Sequence, residues 1–212
     1  MNILQRNDDW LTSRIGKMTA SRIGGINANP KTGKALNATL LEILSERLTG
    51  EKAEGFTTKA MQWGIENEPY AVTAYENETG LFVVQTGLID HPTIPMSGAS
   101  PDGLVGKDGI IEIKCPESPT HTNTLLTGQV PSEYMPQITW QLACTGRKWC
   151  DFVSYDPRQP EHLKIKIIRV NRDDVDIETL ESDVMRANEI LEKAILELCV
   201  DEDILHIMSE DD

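Results

Sequence analysis

The sequence lacks the features that would place it in several large classes of protein. It has no long apolar run and no basic segment followed by an apolar one, so neither a transmembrane span nor a secretory signal is expected. Its four cysteines are scattered without the paired spacing of zinc ligands, which predicts reduced thiols in a cytoplasmic protein. A glycine-rich phosphate loop is missing, so ATP use is not indicated. The four histidines lie far apart and are expected at the surface rather than as ligands.

Basic residues are few, because 20 Lys and Arg are set against 34 Asp and Glu, with a net charge of −14, and this balance argues against binding to nucleic acid. The acidic excess is uneven. Residues 171–212 hold fifteen acidic and three basic residues, whereas residues 1–59 hold nine basic and six acidic residues. The earlier part of the chain can therefore still present a locally positive surface to phosphate.

An acid–acid–lysine pattern lies on a predicted β-hairpin. Asp102 belongs to an S-P-D-G segment, and a turn over residues 106–109 separates it from an alternating run over residues 110–115. The period of two places Glu112 and Lys114 on one face of the second strand. Pairing across the turn then brings Asp102 opposite them.

These residue types suit the hydrolysis of a phosphodiester. Two carboxylates supply hard oxygen ligands for Mg²⁺ or Mn²⁺, and the backbone carbonyl of Ile113 is a further candidate ligand. The metal lowers the pKa of bound water and neutralises charge on the phosphate, while a lysine can orient or deprotonate that water. The alternative is an ordinary solvated strand face that carries E-x-K. The S-P-D-G segment and the turn favour the metal site.

Four motifs resemble those of the phage lambda-type exonucleases, also called viral or alkaline recombination exonucleases, of the PD-(D/E)xK superfamily. They occur along the chain in the same order as in that family. The resemblance covers about residues 10–157. Its central motif is S-P-D-G-L followed by G-I-I-E-I-K-C-P. The other three are W-L-T-S-R-I-G-K-M-T-A-S at residues 10–21, W-G-I-E-N-E at residues 63–68, and Y-M-P-Q with Y-D-P at residues 134–137 and 155–157.

The resemblance implies roles for two further polar residues on predicted helices. Glu68 matches a family acid that helps to bind metal or to position water, and Glu66 would replace it if the register were shifted. Gln137 matches a glutamine beside the scissile phosphate. Without the resemblance, both residues would be interpreted as polar side chains on helix surfaces.

The resemblance also implies contacts to the end of the DNA. Arg14 and Ser21 match the family's ligands of the 5′-phosphate, and the chemistry fits because a guanidinium binds phosphate as a planar fork and a hydroxyl adds a donor. Thr19 and Ser21 are also suited to cap a helix. Met61 matches an apolar wedge that separates the strands; the alternative is a residue of the core or its rim.

Hydrophobic periodicity predicts an α/β protein, and the resemblance implies a restriction-endonuclease-like core with a central mixed sheet flanked by helices. Helices are predicted over residues 35–48, 59–79 and 134–144, and strands over residues 81–89, 96–105, 110–115, 151–155 and 163–170. We expect one nuclease domain over residues 1–200, which includes an amphipathic helix at about 172–199. An acidic, fraying tail is expected over residues 201–212.

Together these features predict a Mg²⁺-dependent 5′→3′ exonuclease that acts on double-stranded DNA ends. It would release 5′-mononucleotides and leave 3′ single-stranded tails for recombination by strand annealing. The resemblance further implies two ions per site, a ring-shaped trimer around DNA and a single-strand annealing protein as partner. Two alternatives remain: a sequence- or structure-specific endonuclease with the same core, and a non-catalytic DNA-binding subunit. The intact Asp102, Glu112 and Lys114 argue against the second.

Overall fold

The computed structural model describes residues 7–26, 36–53 and 58–209, with side chains as far as Cys199. Its helices are α1 (Asp8–Ser13), α2 (Ala20–Ile23), α3 (Ala38–Thr49), α4 (Lys59–Thr79), α5 (Ser118–Thr127), α6 (Met135–Thr145) and α7 (Ile177–Ser209). Its strands are β1 (Met18–Thr19), β2 (Val83–Val84), β3 (Ile89–Asp90), β4 (Ser97–Ala99), β5 (Gly103–Val105), β6 (Gly109–Lys114), β7 (Trp149–Tyr155) and β8 (Ile165–Asn171). None of the described helices is long and apolar enough to span a membrane.

Five strands form a central mixed sheet in the order β2-β5-β6-β7-β8. Strands β6 and β7 run parallel, and each of the other neighbouring pairs is antiparallel. A smaller sheet has the order β1-β4-β3, in which β1 and β4 are parallel. This mixed α/β architecture confirms the fold class that the sequence predicts.

Helices cover both faces of the central sheet. Successive side chains of β6 point to opposite faces, so the strand packs against a different helix on each side. Ile111 belongs to a buried cluster with Ala71 of α4, whereas Ile110 belongs to one with Ile138 of α6. A third cluster, around the fully buried Trp140, joins α6 to α2, α3 and α7. Burial of each large aliphatic side chain stabilises the fold by about 1.5–3 kcal/mol. Helix α6 is therefore held by the sheet on one side and by three helices on the other.

The predicted hairpin is confirmed, but the strand before its turn is divided. Gly103 of β5 pairs with Ile111 of β6 in the antiparallel register. The segment predicted as one strand over residues 96–105 contributes β4 to the smaller sheet and β5 to the central sheet. The chain passes between the two sheets at Pro101 and Asp102, where proline is suited because it has no amide hydrogen to donate to a strand ladder.

Three other sequence predictions differ from the structure. The strand predicted over residues 81–89 is two short strands in different sheets, since β2 pairs with β5 of the central sheet and β3 pairs with β4 of the smaller sheet. Helix α5 was not predicted, since its sequence is rich in threonine, a poor helix former. Helix α7 continues to Ser209 instead of ending near residue 199, in keeping with apolar residues at 204, 205 and 208. Residues 210–212 of the expected tail, and residue 35 of the first predicted helix, lie outside the described residues.

Two histidines are buried, which contradicts the prediction that they lie at the surface. His121 is fully buried, with one ring nitrogen 2.7 Å from Ser154 Oγ and the other 2.7 Å from the carbonyl oxygen of Leu163. His91 stacks on Trp140 with the ring centroids 4.9 Å apart. Burial is tolerated because hydrogen-bond partners satisfy both nitrogens of each ring, including Glu181 at Nε2 of His91.

The first residue of β6 leaves no room for a side chain. A Cβ atom on Gly109 would lie 2.1 Å from the ring of Trp149, the residue paired with it on β7. We expect Gly109→Ala to lower the free energy of unfolding by about 1–3 kcal/mol, because the partly buried indole ring, which packs against the core cluster and under Arg169, must move. Urea denaturation followed by fluorescence would measure this change.

Gly24→Ala provides the matched control for this prediction. A Cβ atom there meets nothing within 4 Å, and the backbone is already right-handed helical, with φ −60°. Its free energy of unfolding should stay within about 0.5 kcal/mol of the parent. Equal stabilities for the two variants would contradict the steric argument.

Candidate active site

One cleft of about 560 Å³ brings the sequence-predicted site residues together. Its walls come from α1, α2, α4, β6 and α6, so residues that are far apart in the chain meet in one place. The nine residues selected from the sequence all line it: Arg14, Ser21, Met61, Glu68, Asp102, Glu112, Ile113, Lys114 and Gln137. The residues selected from the four motifs therefore meet in one site.

Glu112 lies at the base of this cleft and is only 1% exposed. Its Oε1 lies 2.6 Å from the ammonium nitrogen of Lys114 and accepts a 2.6 Å hydrogen bond from the amide of Gln137. Its Oε2 accepts a 2.5 Å hydrogen bond from the amide of Gln141. The two glutamines reach the same carboxylate because residues four apart lie on one face of a helix. These three donors offset the cost of burying the carboxylate.

Asp102 joins Glu112 through the backbone of β6. Its Oδ2 accepts a 2.6 Å hydrogen bond from the amide of Ile113, and its own amide donates to the carbonyl of Ile111 at 3.1 Å. Burial and the nearby charges of Glu112 and Glu68 raise the pKa of Asp102 well above its usual range. Carboxylates that repel one another in this way are the groups whose charged forms a divalent cation stabilises.

Lys114 is held as a cation beside the two acids. Burial alone would lower its pKa, but the carboxylates of Glu112 and Asp102 outweigh that effect and raise the pKa above the ordinary range. Its ammonium nitrogen lies 3.3 Å from the side-chain oxygen of Gln137 and 5.1 Å from the centroid of the Tyr134 ring. In this arrangement the lysine is a fixed positive charge and a hydrogen-bond donor.

The oxygen atoms of this site fit Mg²⁺ or Mn²⁺. Within the described part of the chain, no three Asp, Glu, His or Cys side chains make a metal cluster by themselves. Asp102 and Glu112 supply two carboxylates, and Ile113 and Glu68 also border the cleft. Such a set suits Mg²⁺, which is usually bound by one or two carboxylates while waters and substrate phosphates complete its octahedral coordination.

A second group of donors lines the cleft around Arg14. Its guanidinium lies 3.1 Å from the hydroxyl of Ser21 and 3.3 Å from that of Ser100, and it stacks over the ring of Trp10 at 4.4 Å. Burial and the charge of Arg22 lower the pKa of Arg14 to about 10, so it remains a cation at neutral pH. A partly buried cation whose close polar partners are hydroxyls is suited to bind a phosphate.

Two alternatives from the sequence are decided by position. Glu66 is exposed and accepts a 2.8 Å hydrogen bond from Gln62, whereas Glu68 lines the cleft, so Glu68 is the acid that faces the site. Met61 is 56% exposed at the edge of the cleft and is not part of the core.

Four residues that contact the charged side chains of the site have no role assigned from the sequence. Trp10, Ser100 and Tyr134 lie within the quoted motifs and line the cleft, so the signal for them was present. Gln141 lies behind the cleft, one helical turn after Gln137. Its spacing of four from Gln137 is the signal that could have identified it.

Comparisons with known proteins agree with these motifs. Residues 9–148 match the model of the YqaJ-like viral recombinase domain. The alkaline exonuclease LHK-Exo from Laribacter hongkongensis is 43% identical, with a TM-score of 0.84 over 94% of this chain and 100% of that one. Its structure in complex with dAMP gives 44% identity and a TM-score of 0.83 over the same shares. A comparison with curated proteins gave no significant match.

A more distant structure shows the same fold. A phage-related exonuclease from Haemophilus somnus 129PT is 20% identical, with a TM-score of 0.64 over 86% of this chain and 96% of that one. The family match covers most of the chain, and the identity to LHK-Exo extends over nearly all of it. The chain therefore belongs to the YqaJ-like viral recombinase family and is a nuclease of the restriction-endonuclease-like fold.

Proposed function

We propose that the protein is a Mg²⁺-dependent exonuclease that degrades double-stranded DNA from its 5′ ends. It releases 5′-mononucleotides and leaves 3′ single-stranded tails for recombination by strand annealing. The observation that carries this proposal is the presence of a hydrolytic group, Asp102, Glu112 and Lys114, and a phosphate-binding group, Arg14 and Ser21, in one cleft. The similarity to an alkaline exonuclease whose structure holds a mononucleotide supports it.

The Arg14 group would hold the terminal 5′-phosphate. The guanidinium supplies charge and a planar fork of N–H donors, while the hydroxyls of Ser21 and Ser100 supply further donors. Because Ser100 is separated from Asp102 by a single residue, a strand end held at Arg14 places the following phosphodiester near the acids. Binding of the end would then select the bond to be cut.

The acidic group would hold the metal that hydrolysis requires. Asp102 and Glu112 are the ligands, with Glu68 and the Ile113 carbonyl assisting, and one or two bound Mg²⁺ ions would supply an acidified water and neutralise charge on the phosphate. Lys114, as an ammonium, donates a hydrogen bond that orients the water and offsets negative charge as the bond breaks. Gln137 keeps Lys114 and Glu112 in register, since its amide contacts both.

The polarity of the reaction can be tested with linear duplexes labelled at the 5′ or the 3′ end, beside a covalently closed circle. With Mg²⁺ present, we expect early release of the 5′ label as a mononucleotide and an intact circle, because the Arg14 group requires an end. Gel electrophoresis and chromatography of the products would measure this. A nicked or linearised circle would instead identify an endonuclease.

A duplex with 5′-hydroxyl ends serves as the control for end recognition. It lacks the phosphate that Arg14 and Ser21 are proposed to bind, so its degradation should start more slowly than that of the 5′-phosphorylated duplex. Equal initial rates would show that these residues contact the DNA backbone in general.

Replacement of the lysine tests the hydrolytic group separately from DNA binding. Lys114→Ala should reduce Mg²⁺-dependent cleavage by about 10²–10⁴-fold, because it removes the charge and donor beside Glu112. Binding of duplex ends, measured by fluorescence anisotropy with Ca²⁺ in place of Mg²⁺, should be nearly unchanged. Loss of both properties would indicate a structural role for Lys114.

Lys148→Ala is the matched control for the lysine replacement. Lys148 is largely exposed, lies outside the cleft and forms a 3.1 Å surface ion pair with Asp108. Pairs of this kind contribute little to stability. Cleavage and binding should therefore both match those of the parent protein.

We also propose that the protein acts in the cytoplasm as a ring-shaped trimer around DNA, together with a single-strand annealing protein. The family resemblance supports the ring. It would retain the substrate by topology and so compensate for the net charge of −14. Multi-angle light scattering should give three times the chain mass of 23.6 kDa. A particle of 23.6 kDa at working concentration would contradict the proposal.

A further inference from the structure

Helix α6 buries a glutamine whose side-chain amide is only half satisfied. Gln141 is fully buried, and its amide nitrogen donates a 2.5 Å hydrogen bond to Glu112 Oε2. Its side-chain oxygen has no hydrogen-bond partner among the described residues. An unpaired buried acceptor lowers stability. Core packing therefore does not explain a glutamine at a position flanked on the same helix by the fully buried Ile138 and Leu142.

The bond to Glu112 does explain it. Rotation of a carboxylate about its last side-chain bond is only weakly restricted, since that torsion has broad, two-fold minima. Gln137 donates to Oε1 and Gln141 donates to Oε2, so donors on one helix face fix both oxygens. Residues that hydrogen-bond to a metal ligand in this way set its direction and are needed for tight binding.

We propose that Gln141 is a positioning residue for Glu112. Its amide fixes Oε2, so that the carboxylate presents one orientation to a divalent cation shared with Asp102. Gln141 does not line the cleft, so it acts on the cation through Glu112 and does not contact the substrate. The inference rests on the proposed function, in which Glu112 is a metal ligand.

Gln141 separates metal positioning from the other tasks of the site. Gln137 lines the cleft and also contacts Lys114, so its replacement would disturb metal, lysine and substrate together. Within the described part of the chain, the side chain of Gln141 hydrogen-bonds to Glu112 alone. Its replacement should change the affinity for the cation and leave the affinity for DNA unchanged.

Gln141→Met tests the inference, because methionine keeps the size of the side chain and removes the donor. Mn²⁺ binding to the full-length protein, measured by isothermal titration calorimetry without DNA, should weaken by about 10–100-fold. In cleavage assays, the Mg²⁺ concentration for half-maximal activity should rise by a similar factor, while KM for DNA stays unchanged. Gln141→Leu removes the same donor and serves as the second variant if Gln141→Met does not fold.

Two control variants distinguish a loss of metal positioning from a loss of stability and from the absence of a metal site. Ile138→Val removes a methyl group from the same helix at a buried site, so it should lower thermal stability and leave Mn²⁺ affinity unchanged. Glu112→Gln should abolish Mn²⁺ binding. If it does so and the Gln141 variants bind Mn²⁺ as the parent does, the positioning role is refuted and the metal site stands. If Glu112→Gln binds Mn²⁺ normally, the proposed metal site fails, and the inference fails with it.

Discussion

The burial of the Glu112 carboxylate is the constraint on which the rest of the site depends. A charge that is 1% exposed must have donors around it, and two of these come from α6. That helix also packs Ile138 and Leu142 against the sheet. Packing and polar contacts therefore impose the same position and rotation on α6. A shift of the helix along the strand would break the hydrogen bonds and expose apolar surface at once.

The two sheets set the distance between the parts of the cleft. Ser100 follows the last strand residue of the smaller sheet, and Asp102 precedes the first of β5 in the central sheet. Ser100 contacts Arg14, and Asp102 contacts the backbone of β6. The segment that joins them is two peptide bonds long and contains a proline, which restricts its conformation. The separation between the Arg14 group and the acidic group is thus fixed by backbone held between two sheets.

Local pattern alone predicted part of the cleft, and the family resemblance predicted the rest. The alternation predicted for β6 puts Glu112 and Lys114 on one face, whereas Arg14 and Ser21 are predicted by the family resemblance. Local pattern could not show that residues 96–105 serve two sheets, since periodicity does not specify which strand is the neighbour. It also missed the burial of His121, whose partners lie more than 30 residues away. The sequence did not show which residues, far apart in the chain, pair as neighbouring strands or as hydrogen-bond partners.

The contact between Asp102 and β6 has a consequence for how the site tolerates change. The donor is the main-chain amide of residue 113, while the Ile113 side chain packs in the cluster on the α4 face of the sheet. Every amino acid except proline carries that amide hydrogen. Substitutions at residue 113 can therefore alter the core while the acid stays anchored. The hydrogen bond of Asp102 is therefore kept when the side chain at residue 113 changes. The hydrogen bonds of Glu112 depend on the identity of the side chains that donate them.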